Sequence, residues 1–127
     1  MLPHHPLAEV KRICEEADVV LGKSRCTDML TPYIDPLRCG QFARDVVALL
    51  SLDDFSETVK IENVPYDEYG VQLSQDLKQR YGIEQLGNLY VKLRISRPGK
   101  VVFFVSLHGL ERDLKRRGGI LRSRDNN

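Results

Sequence analysis

The residues best suited to chemistry lie in one patterned stretch, residues 87–109, which reads GNLYVKLRISRPGKVVFFVSLHG. Two apolar runs flank a Pro-Gly turn, and four polar residues interrupt them: Tyr90, Lys92, Arg94 and His108. Lysine and arginine neutralise phosphates, an aromatic ring stacks on an unpaired base, and histidine moves a proton near neutral pH. If these side chains share one face, that face suits a phosphate-bearing polymer.

Whether Tyr90 and His108 share a face depends on the turn between the two strands. Side chains alternate along a strand, so Tyr90 points away from Leu89, which we assign to the core. An even-numbered loop at Pro98-Gly99 would place His108 over Leu89, on the core side. An odd-numbered loop of three or five residues, with Gly99 at positive φ, would instead pair Tyr90 with His108.

We predict the odd-numbered loop on chemical grounds. It aligns Leu93 with Val105 in the interior and Lys92 with Ser106 on the outer face. The pattern alone also fits an inactive hairpin, because antiparallel sheets commonly have one solvated face that carries such residues.

Two helices are predicted ahead of the hairpin. Apolar residues at three-to-four spacing from Leu7 to Ala17 predict a short amphipathic helix. A second helix is predicted over about residues 36–50, with Asp35 as its cap and Gly40 as a weak spot. Residues 22–34 between them have the composition of a connection.

The rest of the chain favours strands. Residues 55–64 alternate and predict a strand, whereas residues 65–86 fit either a strand pair with a loop or a helix. The order of elements indicates a small α+β domain, with two N-terminal helices packed on one face of a curved, mostly antiparallel sheet. The other face of the sheet would then be free to meet a ligand.

The C-terminal end differs in composition from the rest. We divide the chain into a domain over residues 1–110 and a basic extension over residues 111–127. The extension begins with helical potential, is broken at Gly118-Gly119, and is expected to be partly disordered. Its cations could assist RNA binding or only solvate the tail. They are Lys115, Arg116, Arg117, Arg122 and Arg124.

Bulk composition limits the class of function. The 19 basic and 18 acidic residues give a net charge of +1, so a nucleic-acid role must rest on local clusters of cations. Cys14, Cys26 and Cys39 form no CxxC pair or Cys/His cluster, which argues against zinc and fits a reducing compartment. The N-terminus lacks the pattern of a signal peptide, and no stretch reaches the length of a membrane span. We therefore expect a cytoplasmic protein without membrane, metal or cofactor.

Five segments occur along the chain in an order that carries information of its own. They are LAEVKRI, VVALLSLDDF, SQDL, GNLYVKLRI and VVFFVSLH, and together they span about residues 7–108. In this order they resemble the MqsR family of toxins, a branch of the RelE-like mRNA interferases of bacterial type II toxin–antitoxin modules. The LYVKL block is the most specific of the five. The family fold, two helices followed by an antiparallel sheet, agrees with the order of elements predicted above.

The resemblance implies a ribonuclease that cleaves mRNA without a metal ion and is paired with an antitoxin protein. The family's active-site glutamine matches Gln75, and its tyrosine matches Tyr90. The family's two active-site lysines fall on Glu57 and His108, which are departures from its pattern. Lys60 lies near the first departure, with opposite strand parity, and is a candidate for binding RNA.

Cleavage of RNA without metal needs a deprotonated 2′-hydroxyl, a stabilised phosphorane charge and a protonated leaving 5′-oxygen. We assign His108 as general acid or base, and we expect Tyr90 to orient or stack on the substrate. Gln75 would orient the phosphate, and Lys92 or Arg94 would stabilise the developing charge.

A non-catalytic protein on the same fold is the alternative hypothesis. It would be a decayed toxin that still binds RNA or an antitoxin. Glu57 and His108 at the lysine positions favour this alternative, whereas the retained Tyr90 argues for the enzyme.

Overall fold

The computed structural model describes residues 1–98 and 100–123. These residues form a mixed α+β fold. The helices are α1 (Leu7–Glu16), α2 (Asp28–Leu30), α3 (Cys39–Leu49) and α4 (Gln75–Tyr81). The strands are β1 (Val20–Leu21), β2 (Phe55–Ile61), β3 (Val64–Val71), β4 (Leu89–Ser96) and β5 (Val101–Gly109). They form one five-stranded sheet in the order β1-β5-β4-β3-β2. β1 pairs with β5 in parallel, and the other neighbouring strands are antiparallel.

Both helices predicted in the first half of the chain form, as α1 and α3. Asp35 caps the 3₁₀ turn that leads into the second one, because its side chain accepts a hydrogen bond from the backbone N–H of Leu37 at 2.9 Å. The chain first makes a 3₁₀ turn over Pro36–Arg38 and then continues as α3. Gly40 lies at the second position of α3 and does not interrupt it.

Residues 22–34 are more regular than the predicted connection. Lys23–Thr27 form a π-helical turn that runs directly into α2. Residues 65–86 contain both a strand and a helix, which were predicted as alternatives. They include all of β3 except its first residue, and then α4. Ser74 caps α4 by accepting a hydrogen bond from Leu77, and a left-handed Gly82 ends it. The helices are therefore not confined to the N-terminal half.

One hydrophobic cluster joins α1, α3 and α4 to one face of the sheet, which we call the inner face. Val10, Phe42 and Leu77 represent the three helices in it, and Leu93 represents β4. No helix among the described residues combines the length and apolar character needed to cross a membrane.

The three cysteines are free and buried within this cluster. Burial raises the pKa of the Cys14 thiol to about 11 and that of Cys26 to about 12. Burial also raises the pKa of Cys39. The thiols are therefore protonated at neutral pH and act as small apolar packing groups.

The loop of the β4–β5 hairpin is even-numbered, so the predicted odd-numbered loop is wrong. Ser96 pairs with Val101, which leaves residues 97–100 as the loop. Lys100 takes a positive φ of 47° in this loop. The prediction for Gly99 concerns a residue outside those that the structure describes.

Tyr90 nevertheless pairs with His108, as predicted, because β5 contains a β-bulge. Leu93 pairs with Phe104 rather than with Val105, so Val105 is an extra residue opposite no partner. The extra residue shifts the register by one and reverses the alternation of side chains along the rest of β5. His108 is thereby turned to the face that carries Tyr90, which we call the outer face.

Residues 110–123, which we call the C-terminal strap, fold back across the outer face. The helical potential expected there is not realised, and Leu114 instead forms an antiparallel bridge with Leu121. Both leucines lie over Gly70 of β3, where an added Cβ would be only 2.8 Å from Leu114 Cδ2. We expected the extension over residues 111–127 to be partly disordered, and its last four residues, 124–127, lie outside the described part.

Arg116 fastens the strap to the sheet instead of extending into solvent. Its Nη1 donates to Asp54 Oδ1 and to the Gly70 carbonyl, each at 3.0 Å. The backbone N–H of Arg117 donates to the Phe55 carbonyl at 2.9 Å. At least this cation of the basic extension therefore has a structural role.

The N-terminal segment is anchored by a buried carboxylate, Asp67, on β3. The backbone N–H groups of His4 and His5 donate to its two oxygens at 2.9 and 2.8 Å, and Thr58 Oγ1 donates at 2.6 Å. Asp67 thereby fixes the position at which the chain enters α1. If this segment moved away, the donors would lose their hydrogen-bond acceptor.

Replacing this acceptor should destabilise the fold strongly. We expect Asp67→Ala to lower the free energy of unfolding by about 3 kcal/mol, since it leaves buried donors unpaired. Urea denaturation measures this change. Asp18→Ala is the matched control, because Asp18 contacts Arg44 from a fully exposed side chain. A loss for Asp67→Ala as small as that of the control, within about 0.5 kcal/mol, would contradict the anchoring role.

Candidate functional site

An open cleft of about 880 Å³ lies on the outer face, bounded by β4, β5, the strap and the π-helical turn. It contains three of the side chains singled out from the sequence: Tyr90, Lys92 and His108. Glu57, the residue at the first departure from the family pattern, also lines it. Four cations and three carboxylates line the cleft among the described residues. They are Arg25, Lys92, Arg112, Lys115, Glu57, Glu68 and Glu111.

Tyr90 is held between a histidine, a lysine and a carboxylate. Its ring lies 5.4 Å from the His108 ring, with 37° between the planes, and 5.6 Å from Lys92 Nζ. The phenol donates a hydrogen bond to the Glu68 carboxylate, which is 3.7 Å from Lys92 Nζ. Burial and the bond to Glu68 raise the pKa of Tyr90, so its hydroxyl remains a hydrogen-bond donor.

His108 is 2% exposed, and both of its ring nitrogens are engaged. Nδ1 lies 2.8 Å from the Gly109 carbonyl, which can only accept, so Nδ1 carries the proton. Nε2 lies 3.0 Å from Arg25 Nη2, which can only donate, so Nε2 presents its lone pair. Burial lowers the pKa of His108, and the charges of Arg25 and Lys92 lower it further. The neutral imidazole is thus arranged to accept a proton at Nε2.

The π-helical turn brings Arg25 to this histidine. The Phe104 carbonyl, next to the bulge, accepts from the Gly22 backbone N–H at 2.9 Å and from Cys26 Sγ at 3.3 Å. A Cβ on Gly22 would lie 3.3 Å from the same carbonyl, so glycine permits this close approach. With the turn fixed at both sides, the Arg25 guanidinium reaches His108 and also Glu111, whose Oε1 is 2.6 Å from Nη2.

Two predicted site residues lie elsewhere. Gln75 is exposed at the start of α4, with its Nε2 3.5 Å from Glu84 Oε1, and does not line the cleft. Lys60 is exposed near the end of β2 and also does not line it. The structure therefore does not bring either residue together with Tyr90 and His108.

Arg94 follows Lys92 along the outer side of β4 but stops short of the cleft lining. Its guanidinium lies 5.7 Å from the Tyr66 ring and 5.5 Å from the Phe103 ring. These cation–π contacts hold the side chain along the sheet, so Arg94 packs between neighbouring strands.

Sequence reasoning missed Arg25, Glu68 and Glu111. No sequence signal marks Arg25, because the turn that carries it is positioned by hydrogen bonds from Gly22 and Cys26 to Phe104, which is far away along the chain. Glu68 sits in an alternating stretch, but its place opposite Lys92 follows only from the pairing of β3 with β4. Among residues 1–98 and 100–123, no group of three or more histidine, cysteine or acidic side chains could hold a metal ion.

The ionisation of His108 can be tested directly. We expect NMR to show the proton on Nδ1 and a titration midpoint below the ordinary value of 6.5, because burial disfavours the charged ring. Arg25→Gln should raise the midpoint, since the Arg25 charge lowers the pKa. A midpoint at or above 6.5 in the wild type would contradict the arrangement.

The same shift has a consequence for stability. The unfolded chain binds the His108 proton more readily than the folded chain, so the stabilising contribution is present above pH 6.5 and is lost as the pH falls. In urea denaturation, wild type should lose stability more steeply on acidification than His108→Gln does. Equal slopes for the two proteins would contradict this expectation.

Comparison with known proteins gives no match. No family model matches the chain, and neither a curated protein nor a solved structure is significantly similar to it. The likeness to MqsR toxins therefore rests on the five collinear segments, and inferences about function rest on the geometry of the cleft.

Proposed function

We propose that the protein is an mRNA interferase, a metal-independent endoribonuclease with a RelE-like fold of the MqsR type. In this proposal it is the toxin of a type II toxin–antitoxin module and is silenced by a cognate antitoxin protein. One observation carries the proposal. Tyr90 and His108 lie side by side on the neighbouring strands β4 and β5 in an open cleft, beside the cations Arg25 and Lys92.

The chemistry follows from these side chains. In this step the Arg25 guanidinium moves from His108 Nε2 to the phosphate, and the freed nitrogen accepts the proton of the RNA 2′-hydroxyl, whose oxygen then attacks the adjacent phosphorus. Arg25 and Lys92 donate to the non-bridging oxygens, where negative charge develops. The bond to the 5′-oxygen breaks, this oxygen takes a proton from a water molecule in the open cleft, and the hydroxide that remains takes the proton from His108. The products are a 2′,3′-cyclic phosphate and a 5′-hydroxyl, and no metal ion takes part.

Tyr90 has a positioning role in this proposal. Its ring offers a surface for stacking by a base, and the bond from its hydroxyl to Glu68 holds the ring in place. Gln75 and Lys60 are left without a part in the reaction, because they do not line the cleft. Glu57 lines the cleft but is exposed.

A non-catalytic role in binding RNA or an antitoxin is the second candidate. The charges of the cleft favour it, since Arg25 already pairs with Glu111 and Lys92 already lies near Glu68. The low exposure of His108 favours it as well. Such a protein would bind a partner through the same cleft and leave the phosphodiester intact.

Cleavage of RNA in EDTA separates the two candidates. We expect wild type to cleave under single-turnover conditions, and His108→Ala to slow cleavage at least about 100-fold, because it removes the proton acceptor. Tyr90→Phe should slow cleavage less, since the ring remains. His4→Ala and Tyr33→Phe are matched controls, because both residues are exposed and neither lines the cleft.

Two results would count against the enzyme. Binding of RNA without cleavage at any protein concentration would favour the non-catalytic candidate. Undiminished cleavage by His108→Ala, with the controls also active, would place the reaction outside this cleft.

A further inference from the structure

Arg25 takes part in two contacts through a single nitrogen. Its Nη2 lies 2.6 Å from Glu111 Oε1 and 3.0 Å from His108 Nε2. The Arg25 and Glu111 side chains are 44% and 57% exposed, respectively. Ion pairs as exposed as this one are held weakly, so another anion can displace the carboxylate. A phosphate oxygen in the place of Glu111 Oε1 would bind Arg25 next to the proton-accepting nitrogen.

The strap keeps the Glu111 carboxylate close to this position. Just before it, the Leu110 backbone N–H donates to the Asn88 carbonyl at 2.7 Å. Just after it, Leu114 pairs with Leu121 in the antiparallel bridge. Because the chain is held on both sides of Glu111, its carboxylate stays near Arg25. It therefore competes with an external anion for Arg25 at a high local concentration.

Charge in the cleft points to an anionic ligand. Among the described lining residues the cations outnumber the carboxylates by one, and Arg112 and Lys115 border the cleft on the side of the strap. The bond with Arg25 lowers the pKa of the Glu111 carboxyl, so Glu111 is ionised at neutral pH. Displacement of Glu111 from Arg25 leaves that guanidinium free for a ligand oxygen.

We propose that Arg25 is a phosphate-binding residue of the cleft and that Glu111 is a built-in competitor for it. The ligand class is the phosphodiester of a single-stranded nucleic acid, whose backbone phosphate takes the place of the Glu111 carboxylate. This inference rests on the proposed function, because it names how the same cleft holds its substrate. The strap thereby weakens binding until a phosphate displaces Glu111.

Binding can be measured without cleavage, using a short fluorescein-labelled single-stranded oligodeoxyribonucleotide, which lacks the 2′-hydroxyl. In fluorescence anisotropy, Glu111→Gln should bind it about three-fold more tightly than wild type, since the competing charge is gone. The plot of log Kd against log salt concentration should flatten by about 0.7 in Arg25→Gln, which loses one phosphate contact. Arg25→Gln, alone or combined with Glu111→Gln, should bind more weakly than wild type.

Asp113→Asn is the matched control. Asp113 lies two residues further along the strap and binds Arg122 Nη1 at 2.8 Å and the Ser123 backbone N–H at 2.9 Å, outside the cleft lining. Its replacement should leave affinity unchanged. Equal tightening by Asp113→Asn would show that a loosened strap, rather than a freed Arg25, causes the effect and would overturn the inference.

The remaining outcomes are also decisive. Thermal denaturation of each variant shows whether it is folded, and Glu111→Ala provides a second removal of the charge. Unchanged affinity in both folded Glu111 variants would overturn the inference. Inorganic phosphate should compete only weakly with the oligonucleotide, and competition at equal concentration would identify free phosphate as the ligand instead.

Failure of this inference can be told apart from failure of the proposed function. If Glu111→Gln binds the oligonucleotide more tightly but no RNA is cleaved, the result supports the phosphate site and contradicts the proposed ribonuclease activity. If wild type cleaves RNA through His108 while both Glu111 variants bind as wild type does, only the role of Glu111 and Arg25 is wrong.

Discussion

The β-bulge at Val105 is the constraint on which the cleft depends. Without the extra residue, the register set by the even-numbered loop would turn His108 to the inner face, away from Tyr90. The bulge lies beside the Phe104 carbonyl, which accepts from Gly22 and Cys26 and so fixes the π-helical turn. One irregularity in one strand therefore orients the histidine and, through this turn, brings the arginine to it.

Two cations of the cleft, Arg25 and Lys92, already have carboxylate neighbours. Glu68 accepts from the Tyr90 phenol and lies near Lys92, and Glu111 pairs with Arg25. His108 is kept neutral by its burial, which matches the need for an unprotonated nitrogen next to cations. A ligand with phosphate groups reaches Arg25 and Lys92 by exchanging these internal partners for its own oxygens, so affinity depends on how firmly the carboxylates are held.

The sequence predicts β2, β4 and β5, because alternation along a strand is a local property, whereas the pairing of Tyr90 with His108 is predicted on chemical grounds. The prediction pairs Tyr90 with His108 through an odd-numbered loop and no bulge, whereas the protein has an even-numbered loop and a bulge. Each difference shifts the register by one residue in opposite directions, so His108 still pairs with Tyr90. Arg25 and the strap could not be predicted in this way, since both are placed by contacts with residues distant in the chain. Gln75 was selected by resemblance alone, and α4 carries it away from the cleft.

Chemical-shift mapping by NMR tests most directly whether this cleft is the binding surface. A single-stranded RNA analogue with 2′-O-methyl groups, which cannot be cleaved through its 2′-oxygens, would be titrated into the labelled protein. The account predicts that the largest backbone amide shifts fall on the π-helical turn around Arg25, on β4 near Lys92 and on β5 near His108. Shifts centred on Lys60 or Gln75, with the cleft unaffected, would contradict it.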